Sequence, residues 1–360
     1  MTFVIGRGEQ SETGPTGHLG AYRALDGSRG APLELDLDGP HAGLIVGKRG
    51  YGKSHTLGVV AEGLARARGV APVLVDPMGV FRGLADPTDA GADPVPARVV
   101  AEPAVAPDAL DPRSWCALLG LSPESGAGGL VWQAATEAQT IDGMCEHVAA
   151  TDAPGTDRRA ARNHLAMAAR WGVFDPDGLT ATDLAGPAVT VVDVSGLAPA
   201  PSNAVVRGIG EALYRARETE TIDRLPWLLL DEAHAFFEGV ARPALERVLT
   251  RGRAPGVSLV AATQRPSAVP EVAISQADVL VAHRLTAEAD RDALRAAQPT
   301  YANGALTDPD RMPTATGDVI VVDDATETVH AARIRARDTP HGGDSPSASD
   351  VVIERTAGGE

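Results

Sequence analysis

The run Gly47-Lys48-Arg49-Gly50-Tyr51-Gly52-Lys53-Ser54 has the spacing of a loop built to hold phosphate. Glycines let successive backbone N–H groups turn toward anionic oxygens, and a helix starting at the end of the loop adds the positive end of its dipole. In such a loop Lys53 reaches the terminal phosphates of ATP and Ser54 supplies a ligand to Mg²⁺. Gly47, Gly50, Gly52 and the adjoining His55 complete the residues expected to touch nucleotide. The bland alternative is an accidental glycine turn. Against it stands the lysine census: of 32 basic residues, Lys48 and Lys53 are the only lysines. Lys48 occupies a variable position of the pattern, where surface placement is as reasonable as ligand contact.

A second constellation follows the apolar run Leu228-Leu229-Leu230, which delivers Asp231 and Glu232 at the end of a buried strand. Open α/β sheets bind ligands at such carboxyl ends. Asp231 would hold Mg²⁺ and Glu232 would polarise an attacking water; the competing reading is a solvated strand end. A further apolar strand, Val257 to Ala262, leads to Gln264, placed to sense a γ-phosphate and orient water, or simply a polar turn residue. Arg251 and Arg253 close the helix before that strand; they are either solvated or placed to reach the nucleotide of a neighbouring subunit. Asp76, at the tip of another strand, either approaches the nucleotide or caps a helix. His234 is read equally well as a packed histidine or a catalytic contact.

These groups need a scaffold that brings distant strand ends together, and the pattern supplies one. Strand candidates at 42–46, 72–75, 189–194, 227–230, 257–262 and 279–283 alternate with helical stretches at 54–68, 203–219, 242–251 and 286–297. That alternation predicts an α/β fold with a mainly parallel sheet covered by helices on both faces. Residues 1–39 read as a small N-terminal β element, 40–300 as the core and 301–337 as a C-terminal β-hairpin region. An insertion of about 83–188 would be loop-rich to 112 and mostly helical over 113–172, and 338–360 reads as a disordered tail.

Composition bounds the rest. With 44% hydrophobic residues the chain can bury a large core. No run approaches the roughly 18 apolar residues of a membrane helix and no signal peptide is evident, so a cytoplasmic protein without a membrane partner is expected. Cys116 and Cys145 match no disulfide or zinc spacing. The net charge of −16, with 29 Asp against 19 Glu, would ordinarily argue against nucleic acid. Combined with near-absent lysine it resembles adaptation to concentrated salt instead, of the halophilic archaeal type, so charge says little about partners.

The strings GKRGYGKS, VDPMGVF, LLLDEAH, LTRGRAPGVSLVAATQRPS and SQADVLVAHRL together resemble the HerA branch of the HerA/FtsK superfamily, over about residues 40 to 290. The resemblance implies a RecA-like P-loop NTPase core and a ring-forming, usually hexameric, ATP-driven motor that moves double-stranded DNA, with a nuclease partner. It also implies that Lys53 and Ser54 bind nucleotide and Mg²⁺, that Asp231 and Glu232 form the acidic box, that Gln264 is the sensor, and that Arg251 or Arg253 makes the contact in trans. About 40 residues precede the phosphate loop, fewer than the barrel of HerA proteins. The letters Asp231-Glu232-Ala233-His234 also suggest a DEAH-type helicase, but the 178-residue spacing from Lys53 to Asp231 does not suit one. Two further alternatives are a nucleotide-dependent switch or scaffold that moves no DNA, and a small-molecule kinase, which the Asp231-Glu232 and Gln264 constellation disfavours.

Overall fold

A computed structural model describes residues 3–8, 13–24, 27–86, 95–297, 299–302, 306 and 312–342. Twelve strands form one sheet: β1 (Phe3–Ile5), β2 (Thr16–Arg23), β3 (Arg29–Asp36), β4 (Ala42–Val46), β5 (Val70–Asp76), β6 (Ala97–Val100), β7 (Val189–Asp193), β8 (Leu225–Leu230), β9 (Ser258–Thr263), β10 (Val279–Ala282), β11 (Asp318–Asp323) and β12 (Thr328–Ile334). Their order is β1-β3-β2-β12-β11-β10-β4-β9-β8-β5-β7-β6. The block from β10 to β6 is parallel throughout, and β11, β12, β2 and β3 extend it as an antiparallel wing. The α/β fold with a mainly parallel sheet is therefore the observed one.

The parallel strands are apolar on both faces because both are covered. The helix α1 (Lys53–Arg66) packs Leu57, Val60 and Leu64 on one face, against Ile45, Leu74 and Leu229. Alternate residues Leu44, Val46, Leu228 and Leu230 point the other way, toward helices that appear later in the chain. A helical insertion precedes those helices: α2 (Pro112–Leu118), α3 (Gly126–Glu137), α4 (Ile141–Ala150), α5 (Gly155–Ala169) and α6 (Ala181–Leu184). Trp115, Val131, Met144 and Leu165 give α2 to α5 a core of their own. The second face is then covered by α7 (Pro199–Glu218), α8 (His234–Phe237), α9 (Arg242–Arg251), α10 (Glu271–Ser275) and α11 (Glu288–Ala297). Among the described residues no helix is long and apolar enough to cross a membrane.

The N-terminal β element and the C-terminal hairpin are both present and join the core sheet, since β12 pairs with β2 and β11 with β10. Two expectations change. The stretch read as loop-rich contains β6, an edge strand whose half-exposed residues carry no buried-strand signal. Of the tail expected to be disordered, 338–342 folds back on α1, where the fully buried Glu62 accepts the backbone N–H groups of Asp338 and Thr339, each at 3.0 Å. Residues 343–360 lie outside the described set.

The amino end of β4, which aims the phosphate loop, is fixed by a buried charge cluster. His41 Nδ1 lies 3.0 Å from Asp278 Oδ2, its Nε2 lies 3.5 Å from Asp36 Oδ2, and Asp278 Oδ1 accepts the Ala42 N–H at 3.1 Å. Arg7 donates to Asp36 from the other side. Burial alone would lower the His41 pKa, but bonding to Asp278 and Asp36 outweighs it and raises it to about 9. Burial would raise the Asp36 carboxyl, yet hydrogen bonds from His41 and Arg7 hold it below its ordinary range. An imidazole raised from 6.5 to about 9 stabilises the fold fully below pH 6.5, and that contribution is lost as pH climbs through about 9. The thermal midpoint of the wild type should fall over that window by the equivalent of about 3 kcal/mol. In His41→Gln the fall should be largely absent; identical pH profiles for the two proteins would contradict the cluster's role.

Candidate functional site

The turn after β4 is shaped by its glycines. Gly52, at the amino end of α1, has φ 108°, a left-handed conformation that side-chain-bearing residues rarely adopt. A Cβ on Gly47 would come within 2.5 Å of the His283 Cβ, so only glycine lets the loop leave the sheet beside β10. Lys48 is exposed, and its backbone N–H donates to the Arg284 carbonyl at 2.7 Å. Tyr51 turns outward under the Arg284 guanidinium, 5.8 Å from its ring centroid. Lys53 is buried, with Nζ 3.5 Å from the Lys48 carbonyl oxygen; burial lowers its pKa, against the opposing pull of Glu232 and Asp231.

Strand β8 ends on the acidic pair. Ser54 Oγ donates to Asp231 Oδ2 at 2.7 Å, and the Glu232 N–H donates to Asp231 Oδ1 at 3.0 Å. Asp231 is 1% exposed, and burial raises its pKa to about 6 even though the bond from Ser54 pulls the other way. Glu232 sits at φ 46° with its Oε2 buried and without a hydrogen-bond partner; burial raises its pKa against the charges of Lys53 and Arg49. A hydroxyl and a carboxylate this close, beside an unpartnered buried carboxylate oxygen, fit the oxygen donors that Mg²⁺ takes. Lys53, Ser54, Asp231 and Glu232 line one cleft of about 720 Å³, together with Gly50, Gly52 and His55.

The other expected residues lie outside that lining. Gln264 is half-buried just past β9, the strand between β4 and β8. His234 sits between that strand end and the acidic pair: its Nδ1 lies 3.2 Å from Thr263 Oγ1, and Glu232 Oε2 is 3.5 Å away without a hydrogen bond to it. Arg251 and Arg253 are exposed and precede the amino end of β9, whereas the phosphate loop follows the carboxyl end of β4. They do not meet their own chain's cleft. Asp76 caps a turn, accepting from the N–H groups of Met78, Val80 and Phe81 at 3.1, 3.2 and 2.8 Å.

Residues 224–321 match the family described as Helicase HerA-like C-terminal. The fold is similar to VirB4 of Thermoanaerobacter pseudethanolicus, with a TM-score of 0.66 at 16% identity over 92% of this chain and 98% of that one. It is also similar to the bacterial conjugative coupling protein TrwBdeltaN70, with a TM-score of 0.56 at 15% identity over 88% of this chain and 90% of the other. The C-terminal part of the chain thus carries the HerA-like match, and the whole chain shares its fold with these two proteins. No curated protein matches it in sequence.

Within this core, sequence reasoning missed His283. The pairing of Ala282 with Val46 sets it beside the phosphate loop, where its Nε2 lies 2.9 Å from Thr56 Oγ1 and burial depresses its pKa to about 3. A neutral imidazole therefore buttresses the first turn of α1. No local signal announces it, because only the strand order creates the contact. Also unforeseen is the segment Arg333 to Ala336, with His341, on the far wall of the cleft.

The geometry of Glu232 has a measurable cost. Left-handed backbone at a non-glycine residue costs on the order of 1 kcal/mol, and Asn tolerates that region better. Glu232→Asn should therefore raise the stability to urea at pH 8 by about 0.5–1 kcal/mol. A lower midpoint would mean that the carboxylate stabilises its surroundings.

Proposed function

We propose that the protein binds ATP with Mg²⁺ and hydrolyses it, as an oligomeric motor acting on double-stranded DNA. The observation that carries this reading is the convergence of Lys53, Ser54, Asp231 and Glu232 in one cleft, with Ser54 and Asp231 2.7 Å apart. The loop N–H groups and Lys53 bind the phosphates. Ser54 and Asp231 would hold Mg²⁺, which would supply positive charge to the phosphate oxygens. Glu232, raised above the ordinary carboxylate range by burial, orients and accepts a proton from the attacking water. Gln264 senses γ-phosphate state at the end of β9, next to Thr263, whose hydroxyl lies 3.2 Å from His234 Nδ1.

Support for the motor reading comes from the matched family description and from the fold shared with VirB4 and a conjugative coupling protein. In a cytoplasmic ring, usually a hexamer in this superfamily, the exposed Arg251 or Arg253 reaches a neighbour's nucleotide, which explains why neither faces its own. A nuclease partner belongs to the same reading.

The test is ATP turnover with and without duplex DNA across a KCl series, together with native mass. The series matters because DNA contacts weaken steeply with salt. Lys53→Ala and Glu232→Gln should each lower turnover by at least about a hundredfold. Wild type should be stimulated by DNA and have a mass several times that of one chain. Unchanged turnover in Lys53→Ala would remove the site assignment, and a monomer indifferent to DNA would favour a nucleotide-dependent switch.

A further inference from the structure

The cleft is larger than its phosphate end requires. At about 720 Å³ it is in the size range of pockets that enclose a whole small molecule, and its far wall comes from the chain's C-terminal segment. That wall is built and anchored. The Arg335 carbonyl lies 2.8 Å from His55 Nε2, directly after Ser54 on the first turn of α1. Glu62, two turns further along α1 and fully buried, accepts from Thr339 Oγ1 at 2.7 Å and Arg335 Nη1 at 2.7 Å in addition to the two backbone N–H groups.

One buried side chain orients the tip of the segment. Arg337, 2% exposed, lies 3.6 Å from Glu62 and 5.7 Å from the Phe81 ring centroid, and its Nη1 lies 3.2 Å from His341 Nδ1. His341 is itself exposed on the cleft wall, its ring centroid 6.0 Å from that of His55 at 71°. A chain of Glu62, Arg337 and His341 thus aims an imidazole into the cleft beyond the phosphate loop. Flat rings in such positions stack on nucleobases.

We propose that residues 335–341 form a built-in clamp for the nucleoside half of a nucleoside triphosphate, with His341 and His55 as the wall that meets the base. The proposal rests on the nucleotide reading of the same cleft and adds the recognition of base and ribose. It assigns to the C-terminal segment an affinity that the phosphate loop alone does not provide.

The test separates the two halves of the ligand. ATP and inorganic tripolyphosphate, each with Mg²⁺, are titrated calorimetrically into the full chain as wild type, His341→Ala, His341→Phe and Gly83→Ala. A Cβ at Gly83 would fall 2.7 Å from the Pro340 carbonyl oxygen, so that variant displaces the segment without touching the ligand wall. Circular dichroism establishes that each variant is folded. Wild type should prefer ATP, and His341→Ala and Gly83→Ala should lose about tenfold for ATP and less than about twofold for tripolyphosphate. His341→Phe should retain most of the ATP affinity. Equal losses for both ligands, or none for either, would overturn the clamp. If wild type bound tripolyphosphate as tightly as ATP, the phosphate site would stand and the clamp would fall. If wild type bound neither, the nucleotide reading itself would fail and take the clamp with it.

Discussion

The hydrogen bond from Ser54 to Asp231 joins two strand ends that are not neighbours, because β9 lies between β4 and β8. It can form only if three parallel strands end at compatible heights. Val46 pairs with Thr263 and Leu230 with Ala261, so β9 extends past the end of β8 before the chain reaches Gln264. A slip of one residue in β8 would turn Asp231 to the opposite face of the sheet. The apolar residues that fix this register, Leu228 and Leu230 on one side and Leu229 on the other, thereby determine the chemistry at the strand's end.

Much of the remaining structure holds these ends in place. His41, Asp278 and Asp36 tie the opposite end of β4 to its neighbours, and His283 steadies the loop's first helical turn. Charge at the site is under tension. A buried lysine with a lowered pKa faces the buried Asp231 and the half-buried Glu232, both with raised ones, and Glu232 occupies left-handed backbone. A ligand carrying negative phosphate and a divalent cation would offset the charge burial at all three side chains. The overall charge of −16 is irrelevant to this local balance, whereas the placement of Lys53 is central to it.

The parts legible in the sequence are those encoded locally. Gly47 to Ser54 and the run Leu228 to Glu232 declare themselves because loop, strand and reactive group are contiguous. The parallel block was readable for the same reason, since its strands are buried on both faces and lack alternation. What was not readable depends on distant pairing. His283 acts through the register of β10 on β4, and Glu62 looks like an ordinary acidic position on α1 until Arg335, Arg337 and Thr339 return to cover it. Residues 338–342 have tail-like composition, yet the N–H groups of Asp338 and Thr339 find a buried carboxylate. The β6 edge strand was hidden among Pro, Asp and Ala because a half-exposed edge needs few apolar residues.

The central claim, that the Ser54 and Asp231 pair is a metal-and-phosphate site poised across β9, is tested most directly by a crystal structure with Mg²⁺ and a non-hydrolysable ATP analogue. The account predicts the terminal phosphates against the loop N–H groups and Lys53, with Mg²⁺ held at Ser54 and Asp231. Nucleotide bound elsewhere, or bound in the cleft with the Ser54 to Asp231 hydrogen bond intact and no metal beside it, would contradict it.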